Sequence, residues 1–214
     1  MFIIKQKVNM VNHPVNVFRL LEHAARTCTN SVDSMSGDSF DFVKRVIMAR
    51  KHYSVLEHVS ITFELTTSRA IANQIVRHRM AAYCQESMRY VRMDRKFGGL
   101  QVIAPHGYHE WDTQAKNIWL EAITVCEDNY NSLLEFGIKP ETARGILPLD
   151  TATTLVATWN LRELFHILYH PVSGRLTNTH AQPQTRELFQ LLEDELKEQC
   201  PRIYELGKLY EENT

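Results

Sequence analysis

Cysteine is scarce: the chain has four, Cys28, Cys84, Cys126 and Cys200, and none forms a Cys-x-x-Cys pair. That scatter excludes a disulfide framework and a thiolate zinc cluster, and it fits a reducing compartment. An excess of either charge is missing too, since 24 Lys and Arg stand against 25 Asp and Glu, a formal net charge of -1. General binding to nucleic acid or to a membrane surface needs a strong basic excess, so neither is expected and any anion binding must be local. The sequence has no apolar run of membrane-spanning length. Met1–Val8 is too short and too polar for a signal peptide, so a soluble cytoplasmic protein is expected. Repeats, low-complexity tracts and Pro/Gly-rich linkers are absent, and the 214 residues are read as one α+β domain, 1–214.

What is present is a clear succession of periodic segments. Residues 2–10 alternate well enough for a strand, and Pro14 is placed to open a helix through Val15, Phe18, Leu20 and Leu21 to about Cys28. A polar loop from Thr29 to Asp38 leads into a second helix, Ser39 to Lys51, with Phe42, Val46 and Ile47 on one face. Val59 to Thr66 alternates apolar and polar residues, the mark of a half-buried strand. Ser68 then reads as the N-cap of a helix carrying Ile71, Ile75 and His78, on which Gln74 and Arg77 share a face. Gly98-Gly99 precedes a short strand at Leu100–Ala104, and a long helix spans about Trp111 to Phe136, ended by Gly137 and Pro140. Thr151–Trp159 is strand-like, Asn160–Tyr169 is a short helix stopped by Pro171, and Gln184–Tyr210 is mostly helical with a break near Pro201.

Chemistry concentrates between Gln74 and Tyr90. Arg77, Arg79 and Arg89 offer planar forks of donors that match phosphate and carboxylate oxygens, and His78 sits between the first two. In isolation an Arg-His-Arg is most simply a solvated helix end, and Arg144 a helix-end charge. Seventeen residues so rich in hydrogen-bonding side chains favour a pocket for an anion, a nucleotide or a phosphorylated cofactor. His166 and His170, with His180 nearby, and His106 with His109-Glu110 superficially echo zinc spacing, but neither set holds a His-Glu-x-x-His pattern, and no metal is expected.

From Arg77 to Arg89 the chain resembles the flavin-dependent thymidylate synthases, whose signature is RHRxxSxNxxSxR. Further matches follow in order: His52-Tyr53-Ser54-Val55-Leu56-Glu57-His58, Gln74 three before Arg77, Ala143-Arg144-Gly145-Ile146-Leu147-Pro148, and Trp159-Asn160-Leu161-Arg162 with His166. His180-Ala181-Gln182 and Arg186 complete them, with Gln184 where a glutamate is usual. The resemblance implies an α+β fold with a mainly antiparallel sheet flanked by helices. It implies a homotetramer and an FAD-dependent enzyme that methylates dUMP to dTMP. 5,10-Methylenetetrahydrofolate would be the carbon donor and NADPH the reductant.

Residue by residue, the resemblance implies dUMP contacts from Gln74, Arg77, Gln85, Glu86, Ser87, Arg89, Arg144 and Arg175. It implies FAD contacts from Ser54, Arg77, His78, Arg79, Gln85, Asn160, Arg162 and His166, with His52 near the flavin. Arg175 is the implied catalytic group, a guanidinium that favours negative charge on the pyrimidine. Two departures stand out. Ala82, Cys84 and Gln85 replace the usual Ser, Asn and Glu, and the stretch before Arg175 is enlarged by Pro171–Gly174, one residue further from Ala181 than usual. These departures keep open an alternative pyrimidine nucleotide, C5 hydroxymethylation, or a non-catalytic flavin- or nucleotide-binding relative.

Overall fold

Residues of alternating polarity build the long strands of the computed structural model, which describes residues 1–35, 37–93 and 98–214. The strands are β1 (Phe2–Ile4), β2 (Lys7–Asn12), β3 (Ser60–Ser68), β4 (Ala81–Gln85), β5 (Gln101–Ile103) and β6 (Ala152–Asn160). Their order is β2-β3-β6-β4 in a four-stranded sheet, and β1 pairs separately with β5 in parallel. Thr62 meets Thr158 at 2.9 Å and Thr66 meets Thr154 at 3.2 Å. One number rises by four as the other falls by four, so β3 and β6 run antiparallel, clasped by cross-strand hydroxyl pairs. The helices are α1 (Val17–Thr27), α2 (Ser39–Phe42), α3 (Arg69–Ile75), α4 (Thr113–Glu135), α5 (Pro140–Ala143), α6 (Leu161–Tyr169), α7 (Pro183–Gln199) and α8 (Pro201–Asn213). The architecture is α+β, an antiparallel sheet flanked by helices, as the resemblance implied.

The chain gathers into two compact units. The first comprises Met1–Lys7, Leu65–Arg77 and Cys84–Leu155. Its core includes Met88, Met93, Leu100, Val102, Ile123, Tyr130 and Ala143, with Trp119, Leu133 and Leu147 packed against it. α4 starts where the Asp112 carboxylate accepts from the Ala115 N–H at 2.8 Å, and it stops at Gly137, whose φ of 81° suits a residue without Cβ. α3 starts on Ser68, whose hydroxyl accepts from the Ile71 N–H at 3.3 Å, a cap worth about 1 kcal/mol.

The second unit comprises Val8–Glu64, His78–Tyr83 and Val156–Thr214. Its buried side chains include Leu21, Ile47, Leu56, Ile61, Phe63, Trp159, Phe165, Leu192 and Leu206. Each such side chain contributes about 1.5–3 kcal/mol by leaving water. Phe63 and Trp159 lie 6.2 Å apart by ring centroid, and Tyr83 meets the same indole edge-on at 6.1 Å. The Trp159 N–H donates to the Tyr83 hydroxyl at 3.0 Å, and that hydroxyl donates on to the His78 carbonyl at 2.8 Å. One phenol thereby joins the core to the turn after α3.

Several boundaries differ from the sequence reading. The first strand is two strands, broken at Lys5-Gln6. α1 begins at Val17, after Asn16 in the left-handed region (φ 55°), so Pro14 precedes the helix and does not open it. After Phe42 the chain continues as a π-helical turn, Val43–Met48. α3 ends at Ile75, so Arg77 and His78 lie beyond it, and Gln74 and Arg77 do not share a helix face. The Tyr83 hydroxyl holds the His78 carbonyl outside the helical pattern, which no glycine or proline in the sequence announces. β4 is a strand that the short Ala81–Gln85 run did not reveal.

Candidate functional site

α6 begins at Asn160, whose side chain accepts from the Glu163 N–H at 2.9 Å. That cap fixes the helix so that Arg162, Glu163, His166 and His170 line a cavity of about 480 Å³ in the second unit, together with Tyr53, Glu57, Met80, Tyr210 and Thr214. Three of the expected flavin contacts, Asn160, Arg162 and His166, therefore share one wall. Ser54 lies in a separate cavity of about 350 Å³ with His52, Arg26 and Arg50. Within the first cavity Arg162 is paired with Glu57 at 2.6 Å, and both side chains are exposed. The Tyr53 hydroxyl is buried and has no partner among the described residues.

His78 and Arg175 meet in the same unit. Arg175 Nε donates to His78 Nε2 at 3.0 Å, and His78 Nδ1 lies 3.8 Å from Glu163 Oε1. Arginine has no acceptor, so the ring nitrogen facing it must be bare and the proton must sit on Nδ1. Burial, then the fields of Arg175 and His166, push His78 down to about 4, so it is neutral near pH 7. Burial likewise lowers Arg175 and raises Glu163. Arg175 commits only Nε among the described residues, so both Nη groups are left for a ligand.

The loop 171–174 shapes this contact. Gly174 N–H donates to the His170 carbonyl at 2.7 Å and Arg175 N–H to the Ile167 carbonyl at 2.6 Å. A Cβ on Gly174 would fall 2.6 Å from the His170 main-chain oxygen, so only glycine fits this close return. The Ser173 hydroxyl lies 3.1 Å from His166 Nε2 and 2.9 Å from His170 Nδ1. In the His pair with zinc-like spacing the rings are tilted, centroids 4.5 Å apart, and bridged by the serine hydroxyl. Burial, then His170 and Arg162, lower the His166 pKa.

The expected dUMP contacts collect in the first unit, apart from Arg175. Gln85 donates to the Thr153 hydroxyl at 3.3 Å, and Glu86 N–H to the Thr154 carbonyl at 2.9 Å. Ser87 Oγ accepts from the Arg89 N–H at 3.2 Å. The Arg89 guanidinium pairs with the Glu141 carboxylate at 3.2 Å, while Arg144 Nε donates to the Glu141 carbonyl, also at 3.2 Å. Gln74 lies in the last turn of α3 and is half-buried. The side chains of Arg77 and Arg79 are exposed and have no partner among the described residues.

Sequence reasoning missed Arg69 and Glu163. Arg69 Nη2 donates to the Glu86 carbonyl at 2.7 Å, and its buried Nε has no partner among the described residues. Burial, with Arg144 opposing its charge as well, lowers its pKa although Glu86 works the other way. A signal existed: an arginine directly after an N-cap works against the helix dipole and needs another reason to be there. Glu163 carried none, being an ordinary acid in a first helical turn.

Comparison with known proteins gives a consistent answer. The family model described as thymidylate synthase complementing protein matches residues 9–202. A flavin-dependent thymidylate synthase of Geobacter sulfurreducens is 34% identical over 75% of this chain and 71% of its own. One from Pyrococcus horikoshii is 30% identical over 95% of this chain and 85% of its own. Among solved structures, a UMP/dUMP methylase, PolB from Streptomyces cacaoi bound with 5-Br dUMP, has the same fold. It superposes with a TM-score of 0.78 at 24% identity, covering 98% of each chain.

Proposed function

The chain belongs to the thymidylate synthase complementing protein family, and from that premise we propose that it methylates dUMP at C5 to give dTMP. The C5 hydrogen leaves as a proton, and C5 bonds to the methylene carbon of 5,10-methylenetetrahydrofolate. A hydride then completes the methyl group as the folate departs as tetrahydrofolate. FAD in its reduced form supplies that hydride when bound, with NADPH as the electron source.

The observation that carries this reading is Arg175, half-buried with both Nη groups uncommitted. A guanidinium with a free fork stabilises the negative charge that develops on the pyrimidine as C5 attacks. Ser87, Arg89, Arg144, Gln74, Gln85, Glu86 and Arg77 are proposed to hold dUMP, chiefly through its phosphate. Asn160, Arg162, His166, His78, Arg79, Arg77, Gln85 and Ser54 are proposed to hold FAD. The cavity beside α6 fits a flavin in kind, because it offers a cation, imidazoles, two tyrosines and an orphaned Tyr53 hydroxyl. Self-association as a homotetramer and a cytoplasmic location belong to the same proposal. Among the described residues no helix is long and apolar enough to cross a membrane.

A second reading, methylation or hydroxymethylation of another pyrimidine nucleotide such as UMP, is favoured by Ala82 and Cys84 at positions that are polar in the signature. Purified protein given dUMP, methylenetetrahydrofolate and NADPH, with product masses recorded, separates these readings. Mass gain of one methylene unit on dUMP is the expected result. Turnover of UMP alone would select the second reading, and FAD uptake without tritium release from C5 would indicate a non-catalytic relative.

A further inference from the structure

Glu163 lies outside every motif that carried the functional reading, yet it lines the cavity beside α6 and reaches His78. His78 in turn is the one described partner of the Arg175 side chain. We infer that Glu163 and His78 act as a positioning chain for Arg175. Glu163 favours the tautomer of His78 with the proton on Nδ1, and bare Nε2 then anchors Arg175 through Nε, leaving the two Nη groups for the pyrimidine. The inference rests on the reading of Arg175 as the pyrimidine-facing arginine.

The physical argument has three steps. First, an imidazole between a carboxylate and a guanidinium has its tautomer decided by its neighbours, because the guanidinium only donates and the carboxylate only accepts. At 3.8 Å the Glu163 oxygen is beyond hydrogen-bond reach, so it acts through its charge on the N–H that faces it. Second, the opposite tautomer would set an N–H against the Arg175 N–H, and this half-buried contact would be lost. Third, a guanidinium anchored at Nε has little rotational freedom left, which is what a group acting on a developing charge requires. The chain of contacts also joins the cavity proposed for FAD to the arginine proposed for the pyrimidine. Occupancy of that cavity would therefore be felt at Arg175 through Glu163.

The test uses intact protein labelled with 15N-histidine, with His78 assigned by loss of its signals in His78→Gln. Long-range proton–nitrogen spectra of the wild type are expected to show a protonated Nδ1 and a bare Nε2. Glu163→Ala should shift His78 toward the other tautomer and lower kcat for dUMP roughly tenfold or more, with KM nearly unchanged, as for other residues that orient a working group. Glu163→Gln keeps the shape and loses the charge, so it should shift the tautomer and lower kcat much as Glu163→Ala does. His78→Gln places an amide oxygen near the Nε2 position and should retain more turnover than His78→Asn, which cannot reach. A protonated Nε2 in the wild type overturns the inference, as does a Glu163→Ala protein unchanged in both spectrum and kcat. If Glu163→Ala does not fold, the wild-type spectrum and Glu163→Gln still decide. If the wild type does not methylate dUMP, the substrate proposal fails while the spectra judge the positioning chain by themselves.

Discussion

The arginines of the first unit and the arginine of the second are kept in different ways. Arg89 is exposed and bound to Glu141, an exposed acid, and Arg144 leans on the main chain of the same residue. Arg175 is half-buried, touches no acid among the described residues, and is held by a neutral imidazole. Exposed ion pairs contribute only about 0–1 kcal/mol, so the phosphate proposed to bind there would displace the carboxylate at little cost. A guanidinium half out of water beside a neutral ring has no counter-charge in contact among the described residues, so its field on whatever binds next is less offset than that of a paired arginine. On the proposed roles, one region would exchange partners and the other would hold a geometry.

The sharpest break of that contrast is Arg175→Lys. Lysine keeps the charge and loses the fork, so turnover should fall roughly 100-fold while dUMP affinity and FAD content change little. Equal losses in both, measured by steady-state kinetics and equilibrium binding, would place Arg175 among the exchangeable arginines. Arg77→Ala comes next. Its side chain is exposed and unpartnered among the described residues, so folding should be unaffected. Flavin and dUMP affinity should weaken by about 1.5–3 kcal/mol per lost charged contact, read by titration calorimetry.

Acid should act on the second unit in particular. His78 is depressed to about 4 in the folded chain, against an ordinary value near 6.5. In that window the unfolded chain binds the extra proton, so stability is present above pH 6.5 and is lost as pH falls toward 4. The groups facing this ring are Arg175 from the loop, Glu163 and His166 from α6, and none of them offers a replacement for the bare Nε2. The full effect is about 1.4 kcal/mol for each tenfold change in proton affinity, reduced by the solvent that still reaches the ring. Denaturant midpoints from pH 7 to 4 check it, and His78→Gln should flatten that part of the profile. The smallest effect is expected from Glu141→Ala, which should cost less than about 1 kcal/mol of stability. It should tighten dUMP binding at low salt, with the gain fading as salt is added.

Much of the fold was legible because its signals are local. A period-two run gave β3 and a strand-like run gave β6, Ser68 and Asn160 announced their helices, and Gly137 with Pro140 closed α4. The end of α3 was not legible, because Ile75-Val76-Arg77 carries no stop and a tyrosine five residues past His78 sets the break. The same distance effect hid Glu163, whose importance comes from a ring 85 positions earlier in the chain. The resemblance named Asn160, Arg162 and His166, which do share one wall, but it did not reveal the separate cavity of Ser54. Arg175 was named through its place before His180, and its partner could be found only in space.

The close return at Gly174 bears on how this chain can drift. Pro171 and Val172 are exposed, and lengthening an exposed loop costs little, about 0.6 kcal/mol per doubling. Extra residues can enter there without moving the downstream backbone, because position 174 is pinned against the His170 main chain and admits no side chain. Variation is absorbed upstream of that pin and cancelled at it. A lineage of such proteins is therefore free to vary the length and chemistry of the loop, while the register of Arg175 descends unaltered for as long as residue 174 has no Cβ.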